Sequence, residues 1–149
     1  MAELVRCVDI DASPAAVWAA LTDWSRQGEW MLATSVRPTF QNGQGVGGRL
    51  AARTGLGPLA VLDTMTIATW EPPYRCVVRH TGRVVRGAGA FEVGDLPGGR
   101  SRFTWVEWLD LPLGRVGSAG FLLVRPAVTA GIALSLRRFA RWVPVREPG

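Results

Sequence analysis

Three ionisable side chains each share a strand face with mainly apolar residues, in segments that have the alternating pattern of a β-strand. They are Glu107 in residues 103–109, Asp63 in residues 61–67 and His80 in residues 74–80. Alternate residues of a strand point to the same face of a sheet, so each of the three is expected to share its face with apolar neighbours. A carboxylate in an apolar pocket has a raised pKa and can act as a general acid or base. If the three faces line one cavity, Glu107 and His80 are candidate catalytic residues, and Asp63 is a candidate ligand-binding residue.

A structural role is the alternative for all three. Each segment could turn its polar position to solvent, or the groups could pair with one another, because ion-pair networks also hold sheets together. The structural interpretation is favoured for Asp63. Glu107, which is flanked in the sequence by Trp105 and Trp108, is the strongest candidate for chemistry.

A fourth candidate, Arg125, lies in residues 115–143, whose spacing is that of a long amphipathic helix. Apolar residues recur along one face of this helix at Phe121, Val128, Ile132, Leu136, Phe139 and Val143. In an ideal helix Arg125 projects into this stripe. Pro126 removes a backbone donor and predicts a kink, which would turn Arg125 out to solvent. If Arg125 points inward instead, it needs an anion, which Glu107, Asp63 or an acidic ligand group would supply.

Strand patterns precede the helix and supply the surface on which it would lie. They cover residues 4–10, 36–41, 47–54, 59–71, 74–81, 84–93 and 100–109. Ser13-Pro14 is a helix-start signal after the first strand, and residues 24–30 have the pattern of a second short helix or turn. One strand, two short helices, six strands and one long helix predict an α+β fold with seven antiparallel strands. A curved sheet could hold the long helix on its concave face, in a single domain that covers residues 1–149.

The charge pattern does not favour a nucleic-acid-binding function. All seventeen basic residues are arginine, and the formal net charge is +5. They are scattered along the chain except for Arg137, Arg138 and Arg141, which the helix dipole favours near a helix C-terminus. These three are expected to face solvent, so no specific nucleic-acid partner is predicted.

No metal or cofactor site is predicted. The chain has two cysteines and one histidine, without the paired spacing of a zinc site. The glycine-rich residues 42–48 lack the lysine of a phosphate-binding loop and precede a strand, whereas such a loop precedes a helix. Cys7 and Cys76 are expected to be reduced and buried.

The most apolar run, residues 117–134, is about as long as a membrane span but contains Arg125-Pro126 near its middle. A central arginine is costly in hydrocarbon, so the sequence predicts a buried helix and no membrane span. No signal-peptide pattern precedes the first strand, and a cytoplasmic location is therefore expected.

Four motifs occur in a characteristic order along the chain: ASPAAVWAALTDW at residues 12–24, WEPP at 70–73, FTWVE at 103–107 and SLRR at 135–138. Together they resemble the polyketide cyclase/dehydrase branch of the START-like (SRPBCC) superfamily over nearly the whole chain. The resemblance implies a helix-grip fold, in which a curved antiparallel sheet wraps around the C-terminal helix and encloses a hydrophobic cavity. Members of this superfamily bind lipids, sterols or polyketides, and some cyclise or dehydrate aromatic polyketides. The family has no universal catalytic motif, so the resemblance implies no catalytic residue.

Two functions are open at this point. The first is binding of a hydrophobic small molecule, lipid- or polyketide-like, in a cavity between the helix and the sheet, with an entrance near residues 55–58. Its candidate ligand-binding residues are Arg125, Asp63, Trp105, Phe103, Val128, Ile132 and Phe121. The second is an aromatase/cyclase-like enzyme in which Glu107 or His80 moves protons on a polyketide. A partner-binding surface at Leu123 and Leu134, for example in a homodimer, is a weaker alternative.

Overall fold

The computed structural model describes residues 2–111 and 113–146, and this part of the chain forms seven strands and two α-helices. The strands are β1 (Ala2–Ile10), β2 (Thr34–Phe40), β3 (Arg49–Thr54), β4 (Val61–Glu71), β5 (Arg75–Thr81), β6 (Arg86–Leu96) and β7 (Arg100–Leu109). The helices are α1 (Pro14–Leu21) and α2 (Gly114–Arg146), and a short 3-10 helix (Trp24–Glu29) follows α1. Of the single domain predicted for residues 1–149, residue 1, Pro112 and residues 147–149 lie outside the described part.

The seven strands form one antiparallel sheet in the order β1-β7-β6-β5-β4-β3-β2. β1 pairs with β7 from Ala2 opposite Leu109 to Ile10 opposite Ser101, so the first and last strands are neighbours. The sheet curves around the long helix, and the predicted α+β helix-grip fold is confirmed. The strands lie where the alternating patterns predict them, with ends that differ by a few residues.

Helix α1 begins at the predicted start signal. The Ser13 hydroxyl accepts a hydrogen bond of 3.2 Å from the Ala16 N–H, and Pro14 occupies the first turn, where its missing N–H costs nothing. The Thr22 N–H donates to the Trp18 carbonyl at the other end of the helix. These local bonds define both ends of α1.

The core lies where the second half of α2 meets the sheet. Trp30 is fully buried, and its ring lies 4.6 Å from that of Phe139 on α2 and 6.3 Å from that of Phe103 on β7. Leu136 and Val143 belong to the same cluster. The predicted packing of this part of α2 against the sheet is therefore present.

The first half of α2 is largely exposed, and the prediction of a wholly buried helix is wrong there. Leu122 and Leu123 are 67% and 84% exposed. By length and composition α2 could cross a membrane, and only 11% of its most apolar stretch is buried. The helix continues in one piece through Pro126, and from Ile132 onward it is the core helix of the domain.

The two cysteines differ in burial. Cys76 is buried on β5 as predicted, whereas Cys7 is exposed on β1. Leu4 and Ile10, on the even positions of β1, face the core. The alternation of the strand therefore places Cys7 on the outer face of the sheet.

Candidate functional site

A cavity of about 470 Å³ lies between the middle of α2 and the concave face of the sheet. Its wall takes residues from all seven strands and from α2, and most of them are apolar. Val84 and Val128 line the cavity while remaining 59% and 38% exposed, so they mark its opening. Thr54 and Val61, which flank the loop where the entrance was predicted, also line it.

The sheet brings the three predicted ionisable side chains together on the cavity wall. Asp63 lies on β4, His80 on β5 and Glu107 on β7. Nδ1 of His80 is 2.9 Å from Oδ1 of Asp63, and Nε2 is 2.8 Å from Oε2 of Glu107. The side chain of His80 is 3% exposed, and each carboxylate side chain is 16% exposed. The convergence predicted from strand alternation is therefore present in the structure.

Gly89 allows His80 to reach Glu107 across the strand that separates them. β6 runs between β5 and β7, and Gly89 pairs directly with Glu107. A Cβ atom at Gly89 would lie 2.9 Å from Oε1 of Glu107, so a side chain there would press on the carboxylate. Gly89 was not among the predicted site residues. The available signal was a glycine within a strand, which often marks a close approach of other groups.

The surroundings of His80 favour its protonated form. Burial alone would lower the pKa of its imidazole, but the hydrogen bonds to Asp63 and Glu107 and the charges of these carboxylates raise it to about 10. An imidazolium is a donor at both ring nitrogens, so one N–H goes to each carboxylate. Two carboxylates and one imidazolium carry a formal net charge of about −1 on the wall of a mostly apolar cavity.

A second donor fixes the position of Glu107. The indole N–H of Trp105 donates to Oε1 at 2.9 Å, so both oxygens of this carboxylate accept a hydrogen bond. Trp105 and Glu107 are two residues apart on β7 and point to the same face of the sheet. The carboxylate is thus held in one orientation before any ligand arrives.

The predicted ligand-binding residues divide into two groups. Asp63, Trp105, Val128 and Ile132 line the cavity. Phe103 does not: it is fully buried in the core, because that end of β7 packs under Trp30. Phe121 is half-buried on the exposed half of α2 and is not part of the cavity wall.

Arg125 does not enter the cavity, and its predicted pairing with Glu107 or Asp63 is wrong. Its Nη2 donates to the backbone carbonyl of Glu3 on β1 at 3.0 Å, beside a separate small groove between α2 and β1. β1 is an edge strand, and such a strand leaves carbonyl groups without a partner strand. The guanidinium binds one of these carbonyls and needs no carboxylate.

Metal binding finds no support in the arrangement. Within residues 2–111 and 113–146, no group of three or more His, Cys, Asp and Glu side chains could hold a metal ion. Both ring nitrogens of His80 already bond to carboxylates. The site therefore offers its carboxylate oxygens, and not the imidazole, to a bound molecule.

Comparison with known proteins identifies the family and the fold. The family model described as "Polyketide cyclase / dehydrase and lipid transport" matches residues 1–143. A crystal structure from Thermus thermophilus superposes with a TM-score of 0.82 at 15% identity, over 99% of this chain and 100% of that one. The Zhui aromatase/cyclase from a Streptomyces species superposes with a TM-score of 0.75 at 14% identity, over 97% and 94%.

A third structure is the Aha1 dimer from Colwellia psychrerythraea, with a TM-score of 0.68 at 12% identity, over 99% of this chain and 100% of that one. No curated protein matches the sequence. At these identities the structural likeness establishes the fold alone.

Proposed function

The chain belongs to the polyketide cyclase/dehydrase and lipid transport family, and we propose that it binds a hydrophobic small molecule, lipid- or polyketide-like, in the cavity between α2 and the sheet. The observation that carries the proposal is the cavity itself. Its volume of about 470 Å³ lies within the range of small-molecule sites, which is about 300–1,000 Å³. Its mostly apolar wall carries one cluster of ionisable side chains, formed by Asp63, His80 and Glu107, and a few neutral polar residues such as Gln27 and Ser135. A few convergent polar groups in an apolar pocket are typical of sites that orient a ligand.

Two glycines of α2 provide a matched test. Gly131 lines the cavity and Gly120 lies on the exposed half of the helix, and a Cβ atom at either position would meet no other atom within 4 Å. Gly131→Phe therefore has room for its Cβ atom and places a ring on the cavity side of the helix, whereas Gly120→Phe adds the same ring outside the cavity. Both changes remove a poor helix former and should leave the helix intact.

The assay is fluorescence titration with Nile red, an uncharged apolar dye. The wild-type protein and Gly120→Phe should bind the dye with similar affinity, and Gly131→Phe should bind it at least about tenfold more weakly. If wild-type protein does not bind the dye, or if both variants lose binding equally, the cavity is not the binding site. Native mass spectrometry of freshly purified protein would show whether a cellular ligand is retained.

A second candidate function is that of an aromatase/cyclase-like enzyme. It is favoured by the carboxylate–imidazolium–carboxylate group on the cavity wall, because Glu107 could take a proton from an activated methylene group of a polyketide. His80, which is bonded through both nitrogens, would hold Glu107 in position and stabilise its negative charge. For an enzyme, Glu107→Gln should abolish turnover of a poly-β-ketone substrate and preserve Nile red binding. Absence of turnover in the wild-type protein would exclude this candidate for that substrate.

The location that we propose is the cytoplasm. Cys7 and Cys76 are both free thiols. Free thiols are typical of proteins in reducing compartments.

A further inference from the structure

We propose that the cavity selects ligands whose polar end is a cation or a hydrogen-bond donor, such as a primary amine or a hydroxyl group, over ligands that end in a carboxylate. The inference rests on the proposed binding function and names the chemical class of the ligand. It depends on the charges and the hydrogen-bond donors of the cavity wall.

The charge of the wall opposes an anionic ligand. Asp63 and Glu107 contribute two negative charges, and His80 contributes one positive charge that is shared between them. Among the described residues that line the cavity there is no arginine, and the chain contains no lysine. A carboxylate that entered would lose its water and meet one net negative charge with no free cation, which is costly in apolar surroundings.

The hydrogen bonds of the wall point to the same conclusion. Both N–H groups of His80 and the indole N–H of Trp105 are already donated to carboxylate oxygens. Other donors of the lining are also engaged: the amide of Gln27 bonds to the Leu21 carbonyl, the indole of Trp24 to the Gly43 carbonyl and the hydroxyl of Thr34 to the Leu32 carbonyl. The hydroxyl of Ser135, which accepts a hydrogen bond from the Leu32 N–H, is a neutral donor and cannot balance the charge of a carboxylate.

Acceptor capacity, in contrast, remains. An ionised carboxylate has about four lone-pair positions, of which Asp63 uses one and Glu107 uses two within the described residues. Each side chain keeps 16% of its surface exposed on the cavity wall. A donor group on the ligand can therefore bond to either carboxylate without breaking the existing contacts.

The test is a competition experiment with three ligands of equal chain length. Decylamine, decanol and decanoic acid would each displace Nile red from the wild-type protein at neutral pH, below their aggregation concentrations. Decylamine should displace the dye at a concentration at least about tenfold lower than decanoic acid, with decanol between them. Equal or stronger displacement by decanoic acid would overturn the inference. Failure of Nile red to bind at all would instead overturn the proposed function.

Two variants test the origin of the selectivity. Glu107→Gln removes one negative charge, so the preference for the amine over the acid should fall by about tenfold. Glu71→Gln removes an exposed carboxylate at the end of β4 and should leave the preference unchanged. A selectivity that survives Glu107→Gln and Asp63→Asn alike would show that another part of the protein causes it.

The exposed half of α2 carries a second, independent inference: we propose that the open end of the cavity docks on an anionic lipid surface. Residues 116–124 contain no charged side chain, and apolar residues occur on all sides of this part of the helix. Val116, Leu122 and Leu123 are 73%, 67% and 84% exposed. Leu56 and Val84, in the loops beside the cavity opening, are also exposed.

The charges around this apolar surface are those that an anionic lipid surface attracts. Residues 111–146 contain no Asp or Glu, and Arg115 and Arg125 flank the apolar residues on the helix. Arg83 and Arg86 are exposed in the turn that carries Val84. The exposed Glu3 and Asp110 lie at the same end of the sheet and offset part of the positive charge of the four arginines. Apolar side chains that insert at the lipid boundary, together with arginines beside them, are the usual elements of interfacial binding.

The geometry connects this surface to the cavity. Arg125 contacts Glu3 near the start of β1, so the helical residues before it extend past that end of the sheet. Val128, one turn further along α2, lines the cavity opening. A molecule that leaves the cavity at this end would therefore meet the lipid surface directly.

Sedimentation with lipid vesicles tests the docking. The protein should sediment with vesicles of phosphatidylcholine mixed with phosphatidylglycerol, and much less with phosphatidylcholine alone. The double change Leu122→Ser and Leu123→Ser should reduce binding by more than about tenfold. Val46→Ser, at an exposed position at the opposite end of the sheet, should have no effect.

Two results would overturn the docking inference. One is equal sedimentation with both kinds of vesicle, or with neither. The other is the absence of vesicle binding together with a dimer in light scattering that the double change dissociates. That result would show that the surface binds a second copy of the chain. Unchanged urea midpoints of the exposed-site variants would confirm that they are folded.

Discussion

His80 should keep its proton well above neutral pH, and folding should become less favourable as rising pH removes the proton from the unfolded chain. The imidazole has its ordinary pKa of 6.5 when unfolded and a pKa of about 10 in the folded protein. The folded state thus binds the proton more tightly. Its stabilisation is complete below pH 6.5 and is lost as the pH rises through about 10.

The size of the effect follows from the two pKa values. Between them the unfolded state has lost the proton and the folded state has kept it, so the free energy of unfolding falls by about 1.4 kcal/mol per pH unit. From well below pH 6.5 to well above about 10 this amounts to about 5 kcal/mol. Small domains have about 5–15 kcal/mol in total, so the loss would be large. The buried thiol of Cys76, whose pKa is raised to about 12 from 9.0, adds to the loss above about pH 9.

The titration can be followed directly, because His80 is the only histidine of the chain. Its imidazole NMR resonances should show a midpoint near 10, and the free energy of unfolding in urea titration should fall by about 2 kcal/mol between pH 6.5 and about 8.5. A midpoint near 6.5, or a free energy of unfolding that does not fall over this interval, would refute the reasoning. In that case the imidazole would be neutral, and its unprotonated nitrogen would need a protonated carboxyl group as a donor.

Three further predictions concern single substitutions. Leu136→Ala should lower the free energy of unfolding by about 2–5 kcal/mol in urea titration, because the Leu136 side chain is buried in the core. Leu134 is 46% exposed, so Leu134→Ala should lower it by less than about 1 kcal/mol. Equal losses would show that this part of α2 stands away from the core. Gly89→Ala should lower the midpoint of the His80 titration, because the added methyl group displaces the carboxylate of Glu107. An unchanged NMR midpoint would contradict this prediction. Arg125→Met should lower the free energy of unfolding by no more than about 1–2 kcal/mol, because the guanidinium bonds to one backbone carbonyl at an exposed site. A loss above roughly 3 kcal/mol would indicate a buried ion pair instead.

Strand alternation was sufficient to predict which side chains meet at the site. A period of two is a local property of the chain, so Asp63, His80 and Glu107 could be assigned to one face of the sheet before their partners were known. Alternation does not say what covers each point of that face. Phe103 and Glu107 share a face of β7, yet one lies in the core beneath Trp30 and the other on the cavity wall.

The helix was predicted less completely than the sheet. Its periodicity identified Leu136 and Phe139 as core residues, but the rotation of a helix about its own axis, relative to the sheet, depends on tertiary packing. An ideal projection therefore could not show that Arg125 would bind a carbonyl of β1. Apolar composition also has the same appearance in a buried and an exposed helix, so within residues 116–124 the sequence indicated exposure only at Leu123, which projects off the core face.

The pairing of the first strand with the last has a consequence for synthesis of the chain. Among the described strands β1 pairs with β7 alone, which comes about ninety residues later, and ribosomes add about 5–20 residues per second. β1 must therefore wait roughly 5–20 s for its partner after it has been made. Contacts so distant in sequence also slow folding itself. Because α2 follows β7, the cavity is enclosed last, and a ligand can be bound only by the finished domain and cannot act as a template for its first strands.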